Sequence, residues 1–177
     1  AYRAMINGAA FIHVLNRDER DLMAPLGFRP PCEVIPNGVF LDEMANLPAS
    51  GAFRAAHPEL GQDPFILFLS RVHHKKGLDY LVDAFASVLK SRAQTRLVVA
   101  GPDDGALQPM LAQARSLGVH ERVHAVGPLY GRDKLSAFVD AAVFCLPSRQ
   151  EGFSMAVTEA LACGVPAVIS DQCHFPE

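Results

Sequence analysis

The sequence lacks the signatures of several common classes of functional site. It contains no G-x-G-x-x-G fingerprint at the start of a helix, no G-x-x-x-x-G-K-[ST] phosphate loop and no G-x-S-x-G nucleophile elbow. Its four cysteines form no C-x-x-C pair and show no regular spacing. These absences argue against the usual dinucleotide-binding motif, a P-loop nucleotidase, nucleophilic acyl transfer and a cysteine-based metal site or disulfide framework.

Excess positive charge and long apolar runs are also missing. The chain has 16 Lys and Arg against 19 Asp and Glu, a net charge of -3, whereas a nucleic-acid binder usually shows a clustered basic face. No apolar run approaches the ~18 residues of a membrane span, and the start carries no signal-peptide pattern. Cys145 and Cys163 lie in apolar runs, as reduced buried thiols do. We therefore expect a cytoplasmic protein with no nucleic-acid partner and no membrane span.

From residue 64 onward, short apolar runs alternate with segments of helical periodicity. An uninterrupted apolar run is typical of a parallel strand that is covered on both faces. The predicted strands are residues 65–69, 97–100, 122–126, 143–146 and 165–170, and the predicted helices are 78–89, 107–117, 135–139 and 154–163. This alternation predicts an α/β fold with a doubly wound parallel sheet of Rossmann-like type and helices on both faces.

The opening of the chain is less regular. Residues 9–15 are predicted to form a strand, and Asn16 to cap a short helix with Glu19 three residues later as a capping-box-like pair. Residues 33–35 form a short extended piece that ends at the turn of residues 36–38. This opening has too little apolar surface for its own core, so we expect it to pack on the main domain or on a partner.

Ligands of open parallel sheets bind beyond the carboxyl ends of the strands, so the loops there are the candidates for a site. The loop after the first predicted strand carries Arg71 and Lys76, and the loop after the fourth carries Glu151. An Arg fork and a Lys point charge suit a diphosphate. Helices that begin near Gly77 and Ser154 direct free amides toward the same edge. Most isolated R-x4-K loops are solvated turns without function, and that interpretation stays open for this one.

Glu159 and the pair His73 and His74 are two further candidates near this edge. Glu159 lies in an almost wholly apolar helix, which predicts burial and therefore a partner for its carboxylate. Ligand hydroxyls and a salt bridge to a nearby Lys or Arg are equally good candidates. His73 and His74 are adjacent, so in extended chain they point to opposite sides, and with no third ligand nearby zinc binding is not expected.

Four segments together resemble a known family. PNGV at 36–39, SRVHHKKGLDYL at 70–81, VVAGP at 98–102 and PSRQEGFSMAVTEALACGVPAV at 147–168 stand in the order and spacing of the donor-binding half of a GT-B glycosyltransferase. More narrowly, they resemble the retaining family 4 type, the glycosyl transferases group 1. The last segment holds the E-x7-E motif of Glu151 and Glu159.

The resemblance implies roles for particular residues. Arg71 and Lys76 would hold the donor diphosphate and stabilise the charge on the leaving nucleotide, Glu151 would bind the transferred sugar, and Glu159 the ribose. The implied catalytic residues are Glu151, Arg71 and Lys76, and the implied donor-binding residues are Arg71, Lys76, Gly101, Leu129, Glu151, Gly152, Phe153, Ser154 and Glu159. The donor would be a UDP-, GDP- or ADP-linked sugar, used without cofactor or metal. Its sugar would be transferred with retention to a hydroxyl acceptor of polysaccharide, lipopolysaccharide or glycolipid type. A parent enzyme with a lipid-linked acceptor would lie at the cytoplasmic membrane surface.

The resemblance also implies boundaries. Residues 1–39 correspond to a remnant of the N-terminal acceptor domain and hinge, and residues 40–177 to the donor-binding domain, truncated at its C-terminus. We therefore expect no turnover by this chain alone, because half a cleft does not position an acceptor. Two alternatives stay open: a sugar-nucleotide 2-epimerase of the same architecture, and a non-catalytic module that binds nucleotide sugars.

Overall fold

The largest element of the fold is a five-stranded, fully parallel sheet. The structure, a computed structural model, describes residues 2–175. Their strands are β1 (Ile12–Val14), β2 (Cys32–Val34), β3 (Phe65–Leu69), β4 (Arg96–Ala100), β5 (Val123–Gly127), β6 (Val143–Leu146) and β7 (Ala167–Ile169). The sheet has the order β5-β4-β3-β6-β7, and a separate two-stranded sheet pairs β1 with β2 in parallel. The predicted Rossmann-like α/β fold is confirmed.

Helices connect the strands in the predicted alternation. The α-helices are α1 (Tyr2–Ile6), α2 (Arg17–Met23), α3 (Leu41–Met44), α4 (Ala52–Ala56), α5 (Leu78–Leu89), α6 (Leu107–Ser116), α7 (Gly131–Asp140) and α8 (Met155–Ala162). Short 3-10 turns lie at Ala24–Leu26, Pro58–Leu60, His74–Lys76, His120–Arg122 and Asp171–Cys173. Because βαβ crossovers are right-handed, α5 and α6 cover one face of the large sheet, while α7 and α8 cover the other.

The core explains why the central strands could be recognised. Strand β3 pairs with β4 along its whole length and with β6 on its other side, so it lies in the middle of the sheet. Phe65, Leu67 and Phe68 are fully buried there, as an uninterrupted apolar run predicts. On one face α4 packs on α7, and the Asp140 carboxylate at the end of α7 accepts hydrogen bonds from the Gly51 and Arg54 amides at the start of α4.

Residues 2–40 form a small layer beside the main sheet. Asn16 caps α2 as predicted, with its Oδ1 accepting from the Glu19 amide at 2.7 Å. The Glu19 carboxylate accepts from the Leu15 amide rather than from Asn16, so the capping box is closed one residue earlier than predicted. Nδ2 of buried Asn16 donates to the Gly152 carbonyl at 2.8 Å, and this joins the layer to the main domain.

Two expectations about local structure are wrong. Helix α8 is not buried all round: Val157 and Ala160 are buried, but Met155 is 37% exposed and Leu161 50% exposed. The rings of His73 and His74 do not point apart; their centroids are 4.2 Å from each other, because a 3-10 turn, not extended chain, begins at His74.

Pro176 and Glu177, the predicted truncated end of the donor domain, lie outside the described residues. Within residues 2–175, no helix is both long and apolar enough to cross a membrane.

Candidate functional site

The strand order creates a crevice between β3 and β6. The chain winds outward from β3 in one direction through β4 and β5, and in the other through β6 and β7, so the loops after β3 and β6 diverge at the switch point. The two loops touch at Gly77, which has φ +69°; a Cβ built there would lie 1.9 Å from the Pro147 carbonyl oxygen. Only glycine permits this approach. The predicted basic loop and the predicted Glu151 loop are therefore neighbours.

Lys76 and Glu151 form an ion pair in this crevice. The Lys76 Nζ lies 2.6 Å from the Glu151 Oε1, and their side chains are only 13% and 9% exposed. The Ser148 hydroxyl donates to the same carboxylate oxygen at 2.7 Å, and the Glu151 amide donates to the Gln172 carbonyl at 3.0 Å. Taking two charges out of water is costly, so a pair held there with satisfied hydrogen bonds is a candidate for function.

Arg71 lies on the same loop but has a different partner. Its guanidinium pairs with Asp104 of the loop after β4 at 3.0 Å, and the two side chains are 65% and 51% exposed. Gly101 brings these loops together: its φ is +144°, and a Cβ there would lie 1.8 Å from the Ser70 carbonyl oxygen. Lys76 thus pairs with Glu151, whereas Arg71 pairs with Asp104.

Glu159 forms a salt bridge within the protein. The Lys134 Nζ in the first part of α7 lies 2.8 Å from the Glu159 Oε1 on α8, and both side chains are mostly buried. Of the two partners considered from the sequence, the structure shows the salt bridge. Burial raises the pKa of the Cys163 thiol, and the negative charge of Glu159 adds to this rise.

The remaining predicted donor-binding residues surround this core in different ways. Gly152 offers its carbonyl to Asn16, and the Phe153 ring lies 5.3 Å from that of Phe175. Ser154 occupies the N-cap position of α8 with extended backbone, but among the described residues no side chain caps that helix. Leu129 lines a cavity of about 440 Å³ between α4 and α7, away from the contact of Lys76 with Glu151.

Burial affects the reactivity of the cysteine thiols in the described part of the chain. Burial, with Cys173 adding to it, raises the pKa of the Cys145 thiol to about 11, so it is a poor nucleophile at neutral pH. Within residues 2–175, no group of three His, Cys, Asp or Glu side chains has the arrangement of a metal site.

Most of the chain matches a known protein family. The profile described as Glycosyl transferases group 1 matches residues 50–177, which is most of the chain. The chain belongs to this family. The segment matched contains Arg71, Lys76, Glu151 and Glu159.

Individual relatives agree with the family assignment. The chain is 35% identical over 156 residues to a D-inositol 3-phosphate glycosyltransferase of Segniliparus rotundus, covering 81% of this chain and 32% of that protein. It is 29% identical over its whole length to a GDP-mannose-dependent alpha-(1-6)-phosphatidylinositol monomannoside mannosyltransferase of Mycolicibacterium smegmatis, covering 48% of that protein. The chain thus spans about a third to a half of the length of such relatives.

A solved structure shows the same fold. Anabaena HepE, solved in complex with UDP and glucose, superposes with a TM-score of 0.83 at 20% identity, covering 97% of this chain and 48% of that one. At this identity the likeness shows the fold alone, the Rossmann-like domain of a GT-B glycosyltransferase.

Three charged residues of this group 1 glycosyltransferase chain were missed by sequence reasoning. They are Lys134, which pairs with Glu159, Asp104, which pairs with Arg71, and Arg149, which makes a two-pronged pair with Asp79. Each pair joins loops or helices far apart in sequence, so no local periodicity reveals it. The hydrogen bonds from Arg149 lower the pKa of the Asp79 carboxyl, which keeps that pair charged at neutral pH.

Proposed function

We propose that this chain carries the nucleotide-sugar site of a retaining glycosyltransferase that moves a sugar from a nucleoside diphosphate to a hydroxyl acceptor. The observation that carries the proposal is the ion pair of Lys76 and Glu151 at the switch point of the sheet. One side chain is a cation suited to phosphate, and the other is a carboxylate suited to sugar hydroxyls. Ligands of doubly wound sheets bind at this point.

Each chemical group of the donor is assigned to residues that lie in the loops and helices at this edge of the sheet. Arg71 and Lys76 hold the diphosphate, and the uncapped N-termini of α5 and α8 add amide dipoles of the correct sign. Glu151 accepts hydrogen bonds from the transferred sugar, while the backbone of residues 152–154 lies beside it. Glu159 binds the ribose, either by displacing Lys134 or through its second oxygen. The loops at Gly101 and Leu129 border the base.

Catalysis on this proposal is electrostatic. As the bond from the anomeric carbon to the diphosphate breaks, negative charge grows on the leaving phosphate, where Arg71 and Lys76 stabilise it. The protein supplies two fixed cations there, so we propose that no metal or cofactor is required. Glu151 acts first as a donor-binding residue.

The relatives favour two donor classes. The name of the Mycolicibacterium relative contains GDP-mannose, and HepE was solved with UDP, so GDP- and UDP-linked hexoses are the first to test, with ADP-linked sugars third. Since the chain spans only part of its relatives' length, we further propose that residues 1–39 belong to an acceptor domain and hinge. In that case this chain binds donor but does not turn over alone.

The test is a panel of UDP, GDP, ADP and their sugar conjugates, measured by thermal shift and calorimetry. A ligand at 100 times its dissociation constant adds about 2.7 kcal/mol to stability. One diphosphate should stand out, and Lys76→Ala should abolish its effect. Arg71→Ala is a second variant, safe for folding because its side chain is mostly exposed, and Lys75→Ala is the matched control from the same loop.

Four outcomes distinguish the proposed function from its alternatives. No response to any nucleotide by a folded sample contradicts the proposal. In a longer chain that includes the acceptor part, glycoside formation coupled to nucleotide release supports transfer. Release of a 2-epimer would instead identify an epimerase, and binding without turnover would identify a non-catalytic module.

A further inference from the structure

We propose that Arg149 is a positioning residue of the donor site, which holds the loop of Lys76 and the loop of Glu151 in one fixed relation. This inference rests on the proposed function, because it concerns the same diphosphate and sugar groups. Arg149 acts through the two loops, since its own guanidinium is already occupied by protein partners.

The contacts of Arg149 all go to the segment around Lys76. Its amide donates to the Lys75 carbonyl at 2.7 Å, and its Nη1 donates to the His74 carbonyl at 2.8 Å. Nη1 and Nη2 also donate to the two carboxylate oxygens of Asp79, at 2.8 and 2.6 Å. Residue 149 is thus tied to both sides of residue 76.

The shape of the arginine side chain matters for this arrangement. Its planar fork matches the carboxylate of Asp79 with two parallel bonds, and its flat face lies 4.1 Å from the centre of the Tyr80 ring. A lysine keeps the charge but cannot make both bonds while stacking on the ring. Only an arginine therefore contacts the His74 carbonyl, the Asp79 carboxylate and the Tyr80 ring at the same time.

We call the contacts of Arg149 with His74, Lys75, Asp79 and Tyr80 the clamp. The residues of the clamp lie on both sides of Lys76 along the chain and shortly before Glu151. Glu151 lies two residues after Arg149, and Lys76 lies between His74 and Asp79, the two residues that the Arg149 side chain binds. At 2.6 Å the contact of Lys76 with Glu151 leaves little tolerance for a shift of either loop. A displacement of about 1 Å is enough to cost on the order of a hundredfold in a positioned reaction.

Fold stability alone is a weak reason for this arrangement. The side chains of Arg149 and Asp79 are 34% and 49% exposed, and ion pairs so open to water stabilise proteins little. The same loops are already held together by the close contact of Gly77 with Pro147. Removing the clamp should thus leave the protein folded but alter how accurately the two loops meet a ligand.

The direction in which Asp79→Asn changes ligand affinity distinguishes a positioning role from a purely electrostatic one. Asp79 carries negative charge near a site that should bind a diphosphate, so removing that charge should tighten binding if only charge matters. If Asp79 serves to fix Arg149, the same substitution should weaken binding. Charge and position therefore predict opposite results for Asp79→Asn.

The experiment measures the dissociation constants of UDP and GDP by calorimetry, together with melting temperatures, for a double-mutant cycle. Wild type is compared with Arg149→Ala, Asp79→Asn and the double variant, with Arg149→Lys as the conservative variant. We expect each single variant to weaken the better ligand about 3- to 30-fold, and the double variant to be no worse than either single one, since the two residues act as a unit. Arg149→Lys should not restore binding, and the melting temperature should change by about 2 °C or less.

Other results overturn the inference. Unchanged affinity in both single variants, or tighter binding by Asp79→Asn, shows that the clamp does not position the site. Weakening by Arg149→Ala alone shows direct contact with the ligand, and a fall in melting temperature with unchanged affinity shows a purely structural role. If folded wild-type protein binds neither diphosphate, the proposed function fails and this inference fails with it.

Discussion

Replacement of Gly77 by alanine tests the contact between the two loops of the site. Gly77 has φ +69°, and a Cβ there would lie 1.9 Å from the Pro147 carbonyl oxygen and 3.3 Å from the Tyr80 ring. Gly118 provides a matched control, because its φ is +70° but nothing lies within 4 Å of its Cβ position. The two substitutions share the backbone strain and differ only in the contact.

The magnitude follows from these two terms. A left-handed backbone costs an alanine about 1–2 kcal/mol, and this is all that Gly118→Ala should lose. Overpacking of a tight contact typically costs a further ~1–3 kcal/mol, so Gly77→Ala should destabilise the fold by about 2–5 kcal/mol in total. The Pro147 carbonyl belongs to backbone and cannot turn aside as a flexible side chain would, so relief requires the loops to separate.

Thermal unfolding of the two variants measures this difference in stability. For a domain of this size ~1 kcal/mol corresponds to about 2–4 °C in melting temperature, so the melting temperatures of the two variants should differ clearly. Gly77→Ala should also weaken binding of the preferred nucleoside diphosphate, whereas Gly118→Ala should not. Equal destabilisation by both substitutions, with equal ligand affinity, would refute the loop contact on which the site is built.

Two further predictions concern ionisable groups outside the crevice contact. Lys134→Met should lower the free energy of unfolding by about 1–3 kcal/mol in denaturant titrations, because it leaves the mostly buried Glu159 carboxylate unpaired. Adding Glu159→Gln should recover part of that loss, and a double variant worse than Lys134→Met would contradict the pairing. Burial, aided by Arg96, lowers the pKa of His124, so the unfolded chain takes up this proton more readily and stability should fall as pH drops below about 6.5. His124→Gln should reduce that pH dependence in thermal unfolding, whereas the exposed control His120→Gln should leave it unchanged.

The sheet was predictable because its strands are covered on both faces. A run such as Phe65–Leu69 has no polar residue to interrupt it, and burial on two sides is what such a run requires. Strand ends were less predictable: residues 165–170 shorten to Ala167–Ile169, since β7 has only β6 as a partner. Helix α8 misled for a related reason. Its small apolar residues suggest burial on every side, yet its buried residues, Val157 and Ala160, lie on one side of the helix, where it packs on β6 and β7.

The loops of the site were predictable and their pairing was not. Motif order located Lys76 and Glu151, and parallel-sheet topology brought them to one edge. The partner of Glu159 depends on α7 and α8 lying side by side, a consequence of the crossover from the edge strand β5 to the central β6. Lys134 precedes Glu159 by 25 residues, too far for any helical periodicity to link them. Sequence reasoning could therefore name a need for a partner but not choose between a ligand and a lysine.

Charge pairing at the site bears on how a donor would bind. Arg71, Lys76 and Glu159, all proposed to hold the donor, each pair with an opposite charge of the protein at 3.0 Å or less. A diphosphate that draws Lys76 away leaves the Glu151 carboxylate without its cation in a place with little access to water. That loss is offset only if the ligand also brings donors, which sugar hydroxyls do and phosphate oxygens do not. Exchange of ion pairs thus favours a ligand that carries diphosphate and sugar together over one that carries phosphate alone.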